Sequence, residues 1–180
     1  MCTELINIKN KIRNSLTELY TKDQILFERN NEEGVQERCI QFRFAMYLQN
    51  QFDNYYVDVE YDNTITCYLD DNGFVTQVEE SKKKLISDED GNQHLKVPDI
   101  IIHKRGIGQN SNYLCFELKK WNRTNNRLDV KKDHDVLKFL TSIYEFGYLY
   151  GFHIIFGRVK DETKWTIFQN GQILEEVHVF

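Results

Sequence analysis

The chain has no run of about 18 apolar residues, so no membrane-spanning segment is expected. Its opening, M-C-T-E-L-I-N-I-K-N, lacks the basic stretch leading into an apolar one that a secretory signal needs. The cysteine pattern of a zinc protein is missing too. Four cysteines (Cys2, Cys39, Cys67, Cys115) stand far apart with no C-x-x-C pair, and the five histidines are scattered. Cys39 and Cys115 lie inside apolar stretches and read as small core residues, in keeping with a reducing cytoplasm. Positive charge is not in excess: the net charge is −5, which argues against a generic nucleic-acid coat. There is a single proline, Pro98, and neither an internal repeat nor an interdomain linker. What remains is the composition of one globular domain over residues 1–180, 41% hydrophobic and 13% aromatic, long enough for a sizeable core.

The most informative stretch runs from Val97 to Trp121, V-P-D-I-I-I-H-K-R-G-I-G-Q-N-S-N-Y-L-C-F-E-L-K-K-W. V-P-D-I-I-I-H and N-Y-L-C-F-E-L-K are β-branched and apolar, as strands are. Lys104 to Ser111 between them holds two glycines, an asparagine and a serine, which is loop chemistry. A turn centred near Gly108 puts Asp99 opposite Glu117, and directly opposed residues on one face have Cβ atoms about 4.5–5.5 Å apart. Period two adds Lys119 to that face and sends Leu118 to the other. Ile100, Ile102, Leu114, Phe116 and Leu118 then line an apolar face. A charged triad on such a hairpin is a local conflict of the kind that marks function. A register one residue different separates the acids. The competing reading is a surface Asp with a solvated Glu–Lys pair.

Upstream, Leu5, Ile8, Ile12, Leu16 and Leu19 recur at helical spacing over residues 3–20. A second helix is expected over 32–50. It carries two apolar stripes, Val35, Cys39, Phe42 and Met46 on one and Ile40, Phe44, Tyr47 and Leu48 on the other, and a helix apolar on two sides should be largely buried. Glu37 lies on the second stripe, where a carboxylate wants a partner; it is equally placed as a first-turn acid favoured by the helix dipole. Y-Y-V-D-V-E-Y (55–61) alternates as a half-buried strand, with Val57, Val59 and Tyr61 on one face and Asp58 and Glu60 on the other. Within 62–96, T-I-T-C-Y-L and F-V-T-Q-V joined by D-D-N-G predict a hairpin. Lys82, Lys83 and Lys84 read as a solvated loop or as a nucleic-acid contact. After the central hairpin, a helix from about Val130 to Phe146 is expected to bury Val136, Leu137, Leu140 and Ile143 or Tyr144. Y-G-F-H-I-I-F-G follows as a buried strand beginning at Gly151, and N-G between the last two apolar runs signals a closing hairpin.

From Glu117 to Lys132, six basic residues (Lys119, Lys120, Arg123, Arg127, Lys131, Lys132) accompany two acidic ones (Glu117, Asp129), a local charge of +4 beside the carboxylates. Handling a phosphodiester needs such a strip; a solvated loop and helix start is the other reading. Lys138, one turn from Asp135, is open to the same two readings.

P-D-I-I-I-H followed by F-E-L-K resembles the PD-(D/E)xK nuclease superfamily. With E-R-C-I-Q-F-R-F-A-M-Y-L, V-D-V-E-Y and D-V-L-K-F-L-T, the pattern from Glu37 to Phe156 is similar to a group of small bacterial nucleases within it. The resemblance implies the restriction-endonuclease-like α/β (α+β) fold. That fold has an αβββαβ core, here at residues 32–158, and a mixed sheet flanked by helices; this chain adds an N-terminal helix and a C-terminal β-hairpin. It implies a metal-dependent nuclease that hydrolyses phosphodiester bonds, in DNA first, with RNA left open. Asp99, Glu117 and the Leu118 backbone carbonyl are the implied ligands of Mg²⁺ or Mn²⁺, with Glu37 or Glu60 as further ligands. Hard cations prefer oxygen donors, and neither thiolate nor imidazole is among these. Adjacent carboxylates favour a charged Lys119 and a bound divalent metal opposes that; its expected role is to orient the attacking water and to stabilise developing negative charge. Lys120, Arg123, Arg127, Lys131 and Lys138 are the expected nucleic-acid contacts. One site cuts one strand, so concerted double-strand cleavage calls for a homodimer or a larger complex. The alternative is a non-catalytic module that keeps the fold and docks on nucleic acid or a protein.

Overall fold

The computed structural model describes residues 3–27, 37–60, 63–69, 75–81, 84–87, 93–104, 112–120, 127–142 and 146–177. Helix α1 (Thr3–Lys22) carries Leu5, Ile8, Ile12, Leu16 and Leu19 on one stripe, all buried. A single 3₁₀ turn (Gln24–Phe27) follows, and then α2 (Glu37–Gln51). Strand β1 (Tyr56–Val59) stops where Glu60 takes a left-handed φ of 48°, which extended pairing does not allow. Two separate hairpins come next, β2 (Asn63–Leu69) with β3 (Val75–Ser81) and β4 (Lys84–Ser87) with β5 (Gln93–Lys96). The chain returns as β6 (Ile100–His103) and β7 (Asn112–Lys120), then passes through α3 (Arg127–Leu140) to β8 (Tyr150–Phe156). Strands β9 (Lys164–Gln169) and β10 (Gln172–Val177) follow.

The main sheet has six strands in the order β1-β6-β7-β8-β9-β10. All neighbours are antiparallel except β7 and β8, which run parallel. A parallel pair needs a long crossover, and α3 is that crossover. The result is a mixed α+β fold, among the described residues a six-stranded mixed sheet with three α-helices. Period two sorts the sheet residues between two cores. Ile100, Ile102, Leu114, Phe116 and Leu118 join the α1 and α2 side chains in the larger one. Ile101 and Cys115 join Val136, Leu137 and Leu140 of α3, with Tyr148 and Phe168, in the smaller one. Among the described residues no helix is long and apolar enough to cross a membrane.

One turn of the chain explains itself locally. Asn170 and Gly171, both at positive φ (52° and 73°), link β9 to β10 with Gln169 paired to Gln172; this is the two-residue hairpin that N-G predicts. Helix α3 ends at Leu140, short of the expected Phe146; the chain turns back there and the Tyr148 N–H donates to the Leu140 carbonyl at 3.2 Å. Val136, Leu137 and Leu140 are buried as expected, while Ile143 and Tyr144 lie outside the described residues. The hairpin expected from T-I-T-C-Y-L and F-V-T-Q-V is present as β2–β3. The sequence reading missed β4–β5, whose four-residue strands are too short to set up a periodicity.

Helix α2 departs from expectation. Its stripe of Ile40, Phe44, Tyr47 and Leu48 is buried, but Cys39 is exposed, Phe42 is 59% exposed and Met46 45%. The sheet and α1 both pack on the stripe of Ile40, Phe44, Tyr47 and Leu48, and no described element covers the one of Cys39, Phe42 and Met46. Cys39 is therefore a surface thiol rather than a core residue; Cys115 is fully buried.

Candidate active site

The β6–β7 ladder pairs Ile100 with Phe116 and Ile102 with Leu114, so one step further places Asp99 across from Glu117. The expected register is the one found. Pro98 precedes Asp99 and carries no N–H to extend the ladder. Instead the Asp99 backbone carbonyl accepts two hydrogen bonds, from the Gln41 side-chain amide of α2 at 2.8 Å and from the Glu60 N–H at 3.0 Å. Its carboxylate accepts the Leu118 N–H at 2.7 Å. Main chain and side chain of Asp99 are both tied down. A strand residue directs its N–H and C=O to the same side. The Leu118 carbonyl therefore lies on the Asp99 side of β7, past the point where β6 stops pairing.

Glu117 sits between Phe116 and Leu118 with 1% of its surface exposed. Lys119, two residues on, shares its face. The Lys119 ammonium lies 3.5 Å from Asp133 Oδ2 and 3.7 Å from Glu37 Oε1. Burial works against its charge, but Asp133, Glu37, Asp99 and Glu117 together outweigh burial and hold its pKa above the ordinary lysine value. The ammonium pairs with two carboxylates, Asp133 and Glu37, and stands in the field of two more, Asp99 and Glu117.

Glu37 reaches the site from the first residue of α2. Besides Lys119, it accepts the Lys120 N–H at 2.9 Å, so it clasps the end of β7. Glu60 does not join by its side chain, which pairs with Arg38 at 3.2 Å; what it brings to Asp99 is its backbone N–H. Its strand neighbour Asp58 accepts or shares a proton with buried His103 at 2.8 Å.

The basic residues are spread. The Lys120 ammonium donates to the Leu26 carbonyl at 3.1 Å, in the 3₁₀ turn. Lys138 pairs with Asp135 at 3.3 Å, Lys131 is exposed on α3, and Arg127 opens that helix. Arg123, Lys82 and Lys83 lie outside the described residues.

Sequence reasoning did not single out Asp133, His153, His134 or Gln41. Asp133 is buried and His153 pairs in register with Glu117 across the parallel strands. His153 Nε2 is 3.6 Å from Asp133 Oδ2, and its Nδ1 is 3.1 Å from His134 Nε2. The signal for Asp133 was present: it stands three, four and seven residues before Val136, Leu137 and Leu140, a carboxylate on a buried stripe.

The donors at the end of the hairpin are oxygens only. Among the described residues no three His, Cys, Asp or Glu side chains close on one point as a metal cage. Magnesium takes one or two carboxylates and keeps several waters, so the pair Asp99 and Glu117 with the Leu118 carbonyl fits it. No family model, curated protein or solved structure matches the chain.

Proposed function

We propose that the chain is a metal-dependent nuclease with the restriction-endonuclease-like core, hydrolysing phosphodiester bonds, in DNA first. The observation that carries this is the Asp99 carboxylate seated on the Leu118 N–H, opposite the run Glu117-Leu118-Lys119. Where the ladder stops, the two acids stand across from each other in register, with Leu118 and Lys119 next along β7. The order α2, β1, β6, β7, α3, β8 supports the same reading, with the β2–β5 hairpins as an insertion between β1 and β6.

Asp99, Glu117 and the Leu118 carbonyl would hold Mg²⁺ or Mn²⁺, with Glu37 at hand for a second ion and Glu60 turned to Arg38. The ion supplies an activated water and offsets charge on the phosphate. The Lys119 ammonium donates a hydrogen bond to the attacking water and stabilises the negative charge that builds on the phosphate oxygens. The carboxylates around Lys119 favour its charged form, which a charge stabiliser needs, and a bound divalent ion would work against it. Lys131 and Arg127 on α3, with Arg123 before it, supply cations for the nucleic-acid backbone.

The test is cleavage of labelled single- and double-stranded DNA and RNA with Mg²⁺, Mn²⁺ or EDTA, beside Asp99→Ala. Cutting that needs metal and disappears in the variant is the expected result, and the substrate cut decides DNA against RNA. Release of both strands together would indicate a dimer. No cutting of any substrate by the wild type, with no metal bound, would replace this reading with a binding module.

A further inference from the structure

The proposed chemistry uses Asp99, Glu117 and Lys119 and leaves a buried polar group on α3 and β8 without a task. Asp133 Oδ2 lies between two nitrogens, 3.5 Å from the Lys119 ammonium and 3.6 Å from His153 Nε2. Behind His153, His134 meets it at 3.1 Å with the two rings edge to face, and His134 packs in turn on Phe168 at 5.0 Å between centroids. Four residues from β7, β8 and α3 thus form one line, running from the smaller core to the charged end of the hairpin.

We infer that Asp133, backed by His153, is the positioning residue for Lys119, holding its ammonium toward the substrate side of the Asp99–Glu117 pair. This rests on the nuclease reading for its purpose but not for its geometry.

A lysine head rides on a flexible four-carbon stem, and fixing such a side chain costs up to about 2 kcal/mol of conformational freedom. Something must hold it for the ammonium to meet one water at one place. Two carboxylates are at similar distances, and the surroundings decide between them. The Asp133 side chain is 4% exposed, whereas that of Glu37 is 42% exposed. Coulomb attraction scales inversely with the local dielectric, so water weakens the Glu37 contact far more. Asp133 is also the stiffer anchor, on a shorter side chain in the middle of α3 with His153 against the same oxygen. An ammonium has three N–H donors. At 3.5 Å and 3.7 Å the two carboxylates hold it as ion pairs rather than as hydrogen-bond acceptors, which leaves N–H donors for the water or a phosphate oxygen.

The experiment is a proton–nitrogen correlation spectrum of the lysine ammonium groups, taken at one pH on the full chain. Lys119→Arg identifies the Lys119 signal by its loss. A held, slowly exchanging ammonium gives a sharp signal in wild type and in Glu37→Gln. In Asp133→Asn, which keeps the shape and removes the charge, the signal should broaden away while near-ultraviolet circular dichroism is unchanged. His153→Gln should weaken it. A Lys119 signal that survives Asp133→Asn would overturn the inference, and so would one abolished by Glu37→Gln, whose exposed side chain can be changed without threat to folding. On a cleaved substrate, Asp133→Asn should lower kcat about 10- to 100-fold with KM within about twofold. A wild type that cuts nothing would sink the nuclease reading while the ammonium spectrum still decides the role of Asp133.

Discussion

The two faces of the β6–β7 hairpin are made by alternate residues of the same strands, and they serve different ends. On one, Ile100, Ile102, Leu114, Phe116 and Leu118 are all buried against α1 and α2. On the other, Ile101 and Cys115 pack on α3, and then Glu117 and Lys119 replace apolar residues where β6 stops pairing. Burying a side chain such as Phe116 contributes about 1.5–3 kcal/mol. Burying Glu117 costs free energy unless a cation offsets it. Period two lets one strand do both, stabilising the fold through one face and presenting charged groups of the candidate site on the next residue along.

Substitutions on either face should separate these roles. The largest loss of stability is expected for Phe116→Ala, because the ring stacks on Phe152 at 5.3 Å and meets the edge of Phe44 at 6.3 Å. About 3–5 kcal/mol should be lost in urea unfolding. Next comes Lys119→Ala, for which cleavage should fall about 10²- to 10³-fold, with Lys119→Arg keeping part of the rate because the charge remains.

A smaller effect is expected from His134. Burial, then the neighbouring His153, lowers its pKa below the usual histidine value. Folding therefore favours its neutral form. Its stabilising contribution is complete above the unfolded pKa of about 6.5 and is lost as pH falls through that value toward the lower folded one. Melting temperature should decline on acidification in this window, and His134→Gln should flatten the decline. A slope unchanged by His134→Gln would contradict the assignment. The smallest effect is expected at Phe42, on the exposed stripe of α2, where Phe42→Ser should shift unfolding by no more than about 0.5 kcal/mol.

The site was legible in the sequence to the extent that it is local. Asp99 and Glu117 are joined by one hairpin, and period two fixes which neighbours share their face, so Lys119 and the apolar set followed from spacing alone. The N-G turn was legible for the same reason. The meeting of Asp133 with His153 and Lys119 was not, because it depends on how α3 lies over β7 and β8. No short-range pattern encodes the packing of a crossover helix. The exposure of Cys39, Phe42 and Met46 was hidden by a related limit. A helix's apolar stripes show what could be covered, but the number of neighbouring elements decides what is covered. Glu60 misled because its left-handed φ turns it out of the alternation that V-D-V-E-Y suggests.

The most direct measurement is stability and metal-dependent cleavage of Glu117→Gln, side by side with wild type. Glu117 is buried, and the amide keeps its shape while removing its charge. The account predicts stability equal to or above that of wild type and cleavage reduced to background, since this carboxylate serves the metal and not the core. Cleavage at the wild-type rate in Glu117→Gln would contradict it.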